Sequence, residues 1–274
     1  MNNLALVLRQ QGLYEESEQM QRQALDLMKK VLGEEHPSTL ASMNNLALVV
    51  QEQGKYEEAE QMQRQALHLM KEVLGEEHPS ILDSMNNLAE VLRQQGKYEE
   101  AEQMQRQALD LRKKVLGEEH PSTLDSINNL AIVLRQQGKF EEAKQMHRQE
   151  LGMTEKVLGE EHPSTLDSMN NLAIVLQRQG MYEEAEQMQR QALHLMKEVL
   201  GQEHPSTLDS MNNLAIVLQR QGMYEEAEQM QRQTLDLRKK VLGEEHPSTL
   251  ASMNNLVEVL RQQGKYEEAE QIFT

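Results

Sequence analysis

The chain has no cysteine and no tryptophan, and its only aromatic side chains are six tyrosines and two phenylalanines in 274 residues. Without cysteine there is neither a disulfide framework nor a thiolate metal site, and the composition fits a reducing compartment, so a cytoplasmic location is expected. Long apolar runs are missing too. The longest, Leu46-Ala47-Leu48-Val49-Val50, falls far short of the ~20 residues a membrane-crossing helix needs. Met1-Asn2-Asn3 has no basic or apolar leader character, so no signal peptide is expected. Basic charge is scarce: 28 Lys and Arg stand against 45 Asp and Glu, a net charge of −17 with neutral histidine. That balance argues against duplex nucleic acid, whose binding is driven by cations that neutralise phosphates, and against anionic membrane surfaces. No glycine-rich phosphate loop occurs; the 14 glycines sit at fixed phase, Gly152 excepted.

What is present is a period. His-Pro pairs stand at His36, His78, His120, His162, His204 and His246, each 42 residues after the last, with no insertion or deletion. Near-identical units of this length cannot share one centralised core. They pack on their neighbours as a solenoid, and function has to be read from the surface they repeat. The register gives units 1–35 (partial), 36–77, 78–119, 120–161, 162–203, 204–245 and 246–274 (partial), expected to form a single domain over 1–274.

Each unit reads as two helices. In the first, helix A, the apolar residues Leu40, Met43, Leu46, Ala47 and Val50 recur at helical spacing. Pro37 suits its first turn and Gly54 the position after its end. Ser80, Ser122, Ser164 and Ser206, three residues before Asp83, Asp125, Asp167 and Asp209, resemble a capping box. In the second, helix B, Tyr56, Ala59, Met62, Ala66, Leu67, Met70, Val73 and Leu74 trace one face, with acids in the first turn and Gly75 as the stop. About a dozen apolar side chains per unit are too few to offset the entropy of ordering 42 residues, so stacking between units is required.

A helical period without tryptophan excludes strand-built propeller blades, and HEAT-type repeats match in length alone. The residues Met43, Leu46-Ala47, Val50, Gly54, Tyr56, Ala59 and Ala66 fit the tetratricopeptide signature position by position, so the chain resembles the tetratricopeptide family along its whole length. The stretches Asn-Asn-Leu-Ala, Gln-Gly-Lys-Tyr-Glu-Glu-Ala-Glu and Leu-Gly-x-x-His-Pro make it most similar to the 42-residue variant of kinesin light chains and fungal NLR-type receptors. Two features depart from the pattern. Gln63 and its equivalents (His147 in one unit) stand where an aromatic is usual, and the closing proline is absent because helix B runs on.

The resemblance implies an all-α, right-handed superhelical solenoid of antiparallel helix pairs whose concave groove is lined by the A helices. It places there a ladder of asparagines: Asn2, Asn44, Asn86, Asn128, Asn170, Asn212 and Asn254. Asparagine is a poor helix former whose amide offers one acceptor and two donors. In kinesin light chains, asparagines at this position contact peptide main chain. The ladder therefore has two readings: it holds an extended peptide, or it bridges neighbouring A helices. The second asparagine of each pair, such as Asn87, is expected to bond the neighbouring helix B. The next groove position is Leu6, Leu48, Glu90, Ile132, Ile174, Ile216 and Glu258, an apolar stripe flanked by acids, and it too has a second reading as shallow packing between A helices. Arg93, Arg135, Arg178, Arg220 and Arg261 follow, with Asp83, Asp125, Asp167 and Asp209 near the other rim. The expected function is a non-enzymatic scaffold that binds a protein or peptide in this groove without cofactor or metal; the alternative is a self-stacking oligomerisation or spacer module.

Other signals carry less. Six of the nine histidines are a whole unit apart, too far to share an ion, and the Glu-Glu pairs recur in every unit where a catalytic dyad would be unique. The fourth helix B, 139–159, is the outlier. Glu150 replaces a small alanine, Gly152 falls mid-helix, and Lys144 faces Arg148 as a like-charge pair, which reads as drift or as a hinge. The partial units at each terminus are expected to expose Leu4, Val7 and Leu8 at one end and Leu256, Val259 and Leu260 at the other, complementary surfaces that would stack head to tail.

Overall fold

The computed structural model describes residues 2–10 and 13–273. Asn2 and Leu6 of the expected groove stripes lie outside the residues whose side chains are described. Among the described residues there are fourteen α-helices and no strand. The chain divides into two compact units, Met1–Gly138 and Lys139–Thr274, and the boundary falls between the two helices of one 42-residue repeat.

The first unit holds α1 (Asn2–Gln10), α2 (Tyr14–Leu32), α3 (Pro37–Glu52), α4 (Tyr56–Leu74), α5 (Pro79–Gln94), α6 (Tyr98–Leu116) and α7 (Pro121–Gln136). Each packs on the next, and α3 also touches α5. The second unit holds α8 (Phe140–Leu158), α9 (Pro163–Arg178), α10 (Tyr182–Val199), α11 (Pro205–Arg220), α12 (Tyr224–Leu242), α13 (Pro247–Gln262) and α14 (Tyr266–Glu270), followed by a 3-10 turn, Gln271–Phe273. Here too consecutive helices pack, and the A helices α9, α11 and α13 touch in sequence.

Local chemistry explains the boundaries. Every helix A from α3 to α13 begins with proline at its first position and is capped by the preceding histidine. His78, extended at φ −71° and ψ 135°, accepts a bond at Nδ1 from the Ser80 backbone N–H at 3.2 Å. Proline forces the residue before it into extended backbone, which aims the ring at the free amide two residues on. The cap is thus histidine rather than the expected Ser/Asp box. Gly54, at φ 78°, takes the left-handed conformation that turns the chain out of α3. The signature alanines Ala59, Ala66, Ala101 and Ala108 are fully buried where helices approach closely. Core clusters then alternate residues of the two helix types, such as Met85, Leu88 and Leu92 of α5 with Ala101 and Ala108 of α6.

The outlying helix differs from expectation. α8 is continuous through Gly152, and Lys144 and Arg148 each have a carboxylate, Glu141 at 3.0 Å and Glu184 at 2.5 Å, so they are not an unopposed like-charge pair. Glu150 is buried, and one of its oxygens accepts from Thr154 Oγ1 at 2.8 Å and Ser168 Oγ at 2.6 Å. The expected apolar ends are also unlike each other. Leu4 and Val7 are 55% and 46% exposed, but Leu256, Val259 and Leu260 are buried, with Ala269 and Ile272 packed against Leu256 and Leu260.

Candidate functional site

Along each helix A, the positions of Asp83, Asn86, Glu90 and Arg93 step by three or four and so share one face. The structure divides that face in an unexpected way. All but one of the described first asparagines turn inward: Asn44 and Asn170 are buried and Asn86, Asn128 and Asn212 half-buried, while Asn254 is exposed. Asn44 Nδ2 donates to Met70 Sδ at 3.8 Å and Asn170 Nδ2 to Met196 Sδ at 3.6 Å, both on the following helix B. Their Oδ1 atoms accept from Ser84 and Ser210 of the next helix A, at 3.5 and 3.2 Å. Asn212 Oδ1 accepts from Gln231 of α12 at 3.2 Å and from Asn255 of α13 at 2.8 Å. The first asparagine thus bonds helix B, a role expected of the second. The second is rotated about 100° further round the helix, and Asn213 lines open space.

The next stripe stays half open. Leu48, Glu90, Ile132, Ile174 and Ile216 are half-buried and Glu258 is exposed. In the first unit Arg93 is held by Glu90 through two bonds, the shorter 2.6 Å, and Arg135 is half-buried. In α9 and α11 of the second unit the local order is reversed from Arg-Gln to Gln-Arg, and Arg178 and Arg220 are exposed and, among the described residues, form no ion pair. They flank a cleft of about 300 Å³ lined by Ile174, Gln177, Arg178, Tyr182, Asn213, Ile216 and Arg220. Four of the seven are residues singled out by the sequence. Gln177, Tyr182 and Asn213 were missed: Tyr182 reads from its signature position as core, and Asn213 as an internal bond.

Under the same face lie two buried arginines, Arg112 and Arg238, that no sequence signal marks. Arg112 Nη1 donates to Ser122 O at 2.9 Å and Ser126 Oγ at 2.7 Å, and Nη2 to Asp83 Oδ1 at 2.8 Å. Arg238 repeats the pattern with Ser248 O, Ser252 Oγ and Asp209. Asp167 is exposed, yet partial desolvation by its neighbours pushes its carboxyl up; His204 partly opposes this and Asp209 adds to it. Desolvation likewise pushes Asp125 up, against Arg112 and His120. Outside the A-helix face, charge is spent on linking B helices. Arg190 bridges Glu186 of its own helix at 2.8 Å and Glu226 of α12 at 2.6 Å. Burial favours a raised value for Glu228, but bonds from Lys265, Arg232 and Gln263 outweigh it and hold the carboxyl at about 2. Among the described residues no group of three or more His, Asp or Glu is placed to hold a metal ion, and no helix is long and apolar enough to cross a membrane.

A tetratricopeptide repeat profile matches residues 1–72, 43–114, 80–156, 151–198, 165–240 and 206–274. No curated protein matches the chain. Among solved structures, the nearly identical TPR-like repeats of a putative kinesin light chain from Podospora anserina are 34% identical, with a TM-score of 0.64, over 75% of this chain and 97% of that one. BtubC (BKLC) from P. vanneervenii is 22% identical, TM-score 0.70, over 85% of this chain and 94% of its own. A STAND ATPase with a tetratricopeptide sensor from Pyrococcus horikoshii shares the fold at 14% identity and TM-score 0.69, over 99% of this chain and 40% of its own. Repeats of this kind generally mediate protein–protein contacts or scaffolding. The signature residues, the paired helices and the profile together make this chain a member of the tetratricopeptide repeat family.

Proposed function

We propose that the chain is a non-enzymatic scaffold that holds an extended segment of a protein partner across the open face of its A helices. The observation that carries this reading is the cleft of the second unit. Ile174 and Ile216 form a half-open apolar floor, and Arg178 and Arg220 stand beside it with their donors free. A small apolar floor ringed by convergent polar groups can hold a peptide segment. Tyr182, Gln177 and Asn213 add donors and acceptors suited to peptide main chain. In the first unit the A-helix face carries Ile132, Arg93 and Arg135. Asn44, Asn86, Asn128, Asn170, Asn212 and Asn254 contribute mainly by fixing its backbone, with Asn254 the most open to a ligand. The self-stacking alternative has the exposure of Leu4 and Val7 in its favour and nothing matching them among Leu256, Val259 and Leu260.

The test uses peptides selected on the wild-type protein from a random-sequence display library, with affinity read by fluorescence anisotropy. Ile174→Glu and Ile216→Glu each place a charge on the apolar floor and should weaken binding about tenfold or more. Gln187→Glu, on the exposed side of α10, carries the same added charge and should bind as wild type. Equal affinity across all three variants would overturn the reading.

A further inference from the structure

Helix B carries Met28, Met70, Arg112, Thr154, Met196 and Arg238 at one repeated position beneath the A-helix face. The five from Met70 to Arg238 are buried. Under methionine, the rung asparagine makes a weak contact to sulfur. Under arginine, the guanidinium instead reaches a rim carboxylate. Arg112 is nearly sealed while its partner Asp83 is 73% exposed, and Arg238 stands in the same relation to Asp209 at 65%. Arg112 also takes up the rung: with the Asn86 amide turned so that its oxygen faces the guanidinium, it accepts from Nη2 at 2.8 Å and donates to Gln105 at 2.9 Å. A cation delivered from below thus neutralises a carboxylate that faces outward.

The rims consequently differ from rung to rung. Asp83 and Asp209 are paired from beneath. Ala41 and Ala251 supply no charge at all. Asp167 lies over Met196, and among the described residues no Lys or Arg lies within ion-pair distance of it. The charged groups around it are His204, whose influence favours its ionised form, and Asp209, whose influence opposes it. Asp167 and Arg178 are eleven residues apart on α9, about 16 Å along the axis, so they mark opposite edges of the same face.

We propose that the Met/Arg choice at this buried position sets the specificity of the face above it: Arg238 silences Asp209 and leaves Asp167 as the second unit's open carboxylate on the aspartate rim, which receives a basic side chain or amine of the bound segment. This rests on the scaffold reading above. Arg238 is a positioning residue, because it acts through Asp209 and does not meet the ligand. Methionine occurs naturally at the matching place beneath Asp167, so Arg238→Met has a precedent in the same fold.

The experiment uses two labelled decapeptides, alternating Lys-Ala and alternating Glu-Ala, titrated by anisotropy at low and at physiological salt. Asp167→Asn should weaken the Lys-Ala peptide about fivefold, the scale of one exposed ion pair. Asp236→Asn removes the same charge from α12 and should leave affinity unchanged. Arg238→Met should strengthen Lys-Ala binding by a similar factor by opening Asp209. Arg238→Lys keeps the charge and should restore wild-type preference, whereas loss of the hydrogen-bond geometry alone would affect both variants alike. The proposal is overturned if Asp167→Asn behaves as Asp236→Asn does, or if Arg238→Lys and Arg238→Met have the same effect. Ile174→Glu separates the two readings. If it abolishes peptide binding while the aspartate and arginine variants do nothing, the scaffold reading stands and this one falls; if it too has no effect, the scaffold reading itself fails.

Discussion

Replacing Asn212 by alanine tests what the asparagine ladder does. Asn212 Oδ1 accepts from Gln231 Nε2 at 3.2 Å and Asn255 Nδ2 at 2.8 Å, and Gln231 is fully buried. Alanine leaves that buried amide without this acceptor, a loss of about 1–3 kcal/mol. Better helix propensity returns roughly 0.5 kcal/mol, so the net loss is about 1–2 kcal/mol. Asn254 sits at the same repeat position but is exposed. Asn254→Ala should therefore be neutral or slightly stabilising. Because arrays of this kind open locally, amide exchange is a better readout than a global melt. Exchange in α11 to α13 should quicken about 5- to 30-fold in Asn212→Ala, the factor that corresponds to 1–2 kcal/mol, and stay unchanged in Asn254→Ala. If the two variants behave alike, the amides do not bridge helices in solution, and the account of the ladder as internal scaffolding fails.

Further outcomes follow from the same contacts. His78→Ala should cost about 1 kcal/mol through loss of the helix cap, seen as faster exchange at Ser80 and Ile81, and His78→Asn should restore most of it. Gly152 is exposed mid-helix with open space around its Cα, so Gly152→Ala should stabilise α8 by about 1 kcal/mol in a urea titration. Glu18 and Glu228 are held at about 2 in the fold: burial opposes the shift, and bonds from Lys55, Arg22 and Gln53 or from Lys265, Arg232 and Gln263 outweigh it. Their contribution is complete above the unfolded carboxylate value of about 4.3 and is lost as pH falls toward 2. A Glu18→Gln, Glu228→Gln double variant should show a shallower acid-induced loss of helicity over that window.

The period and the helical spacing made the fold readable before any coordinate. Helix starts at proline, stops at glycine and the two-helix unit all follow from local rules, and repetition stated each of them several times over. The site was less legible because one helix face serves two purposes. Spacing places Asn170, Ile174 and Arg178 together, but it does not tell which side chain turns toward helix B. That is decided by what lies underneath: Met196 offers Asn170 a soft contact, while Gln231 and Asn255 take up Asn212. The histidine caps were hidden for a similar reason. His-Pro reads as punctuation until the extended backbone before proline aims the imidazole at an amide. Glu150 read as a defect because its compensation by Thr154 and Ser168 lies on two different helices.

The most direct test of the central claim is a hydrogen-exchange map of the second unit with and without a peptide selected on the wild-type protein. The account predicts that added protection concentrates at 170–182 and 212–222, where the cleft-lining residues sit on α9, α11 and the start of α10. Protection confined to the outer surfaces of α10 and α12, with none at Ile174 or Ile216, would contradict it.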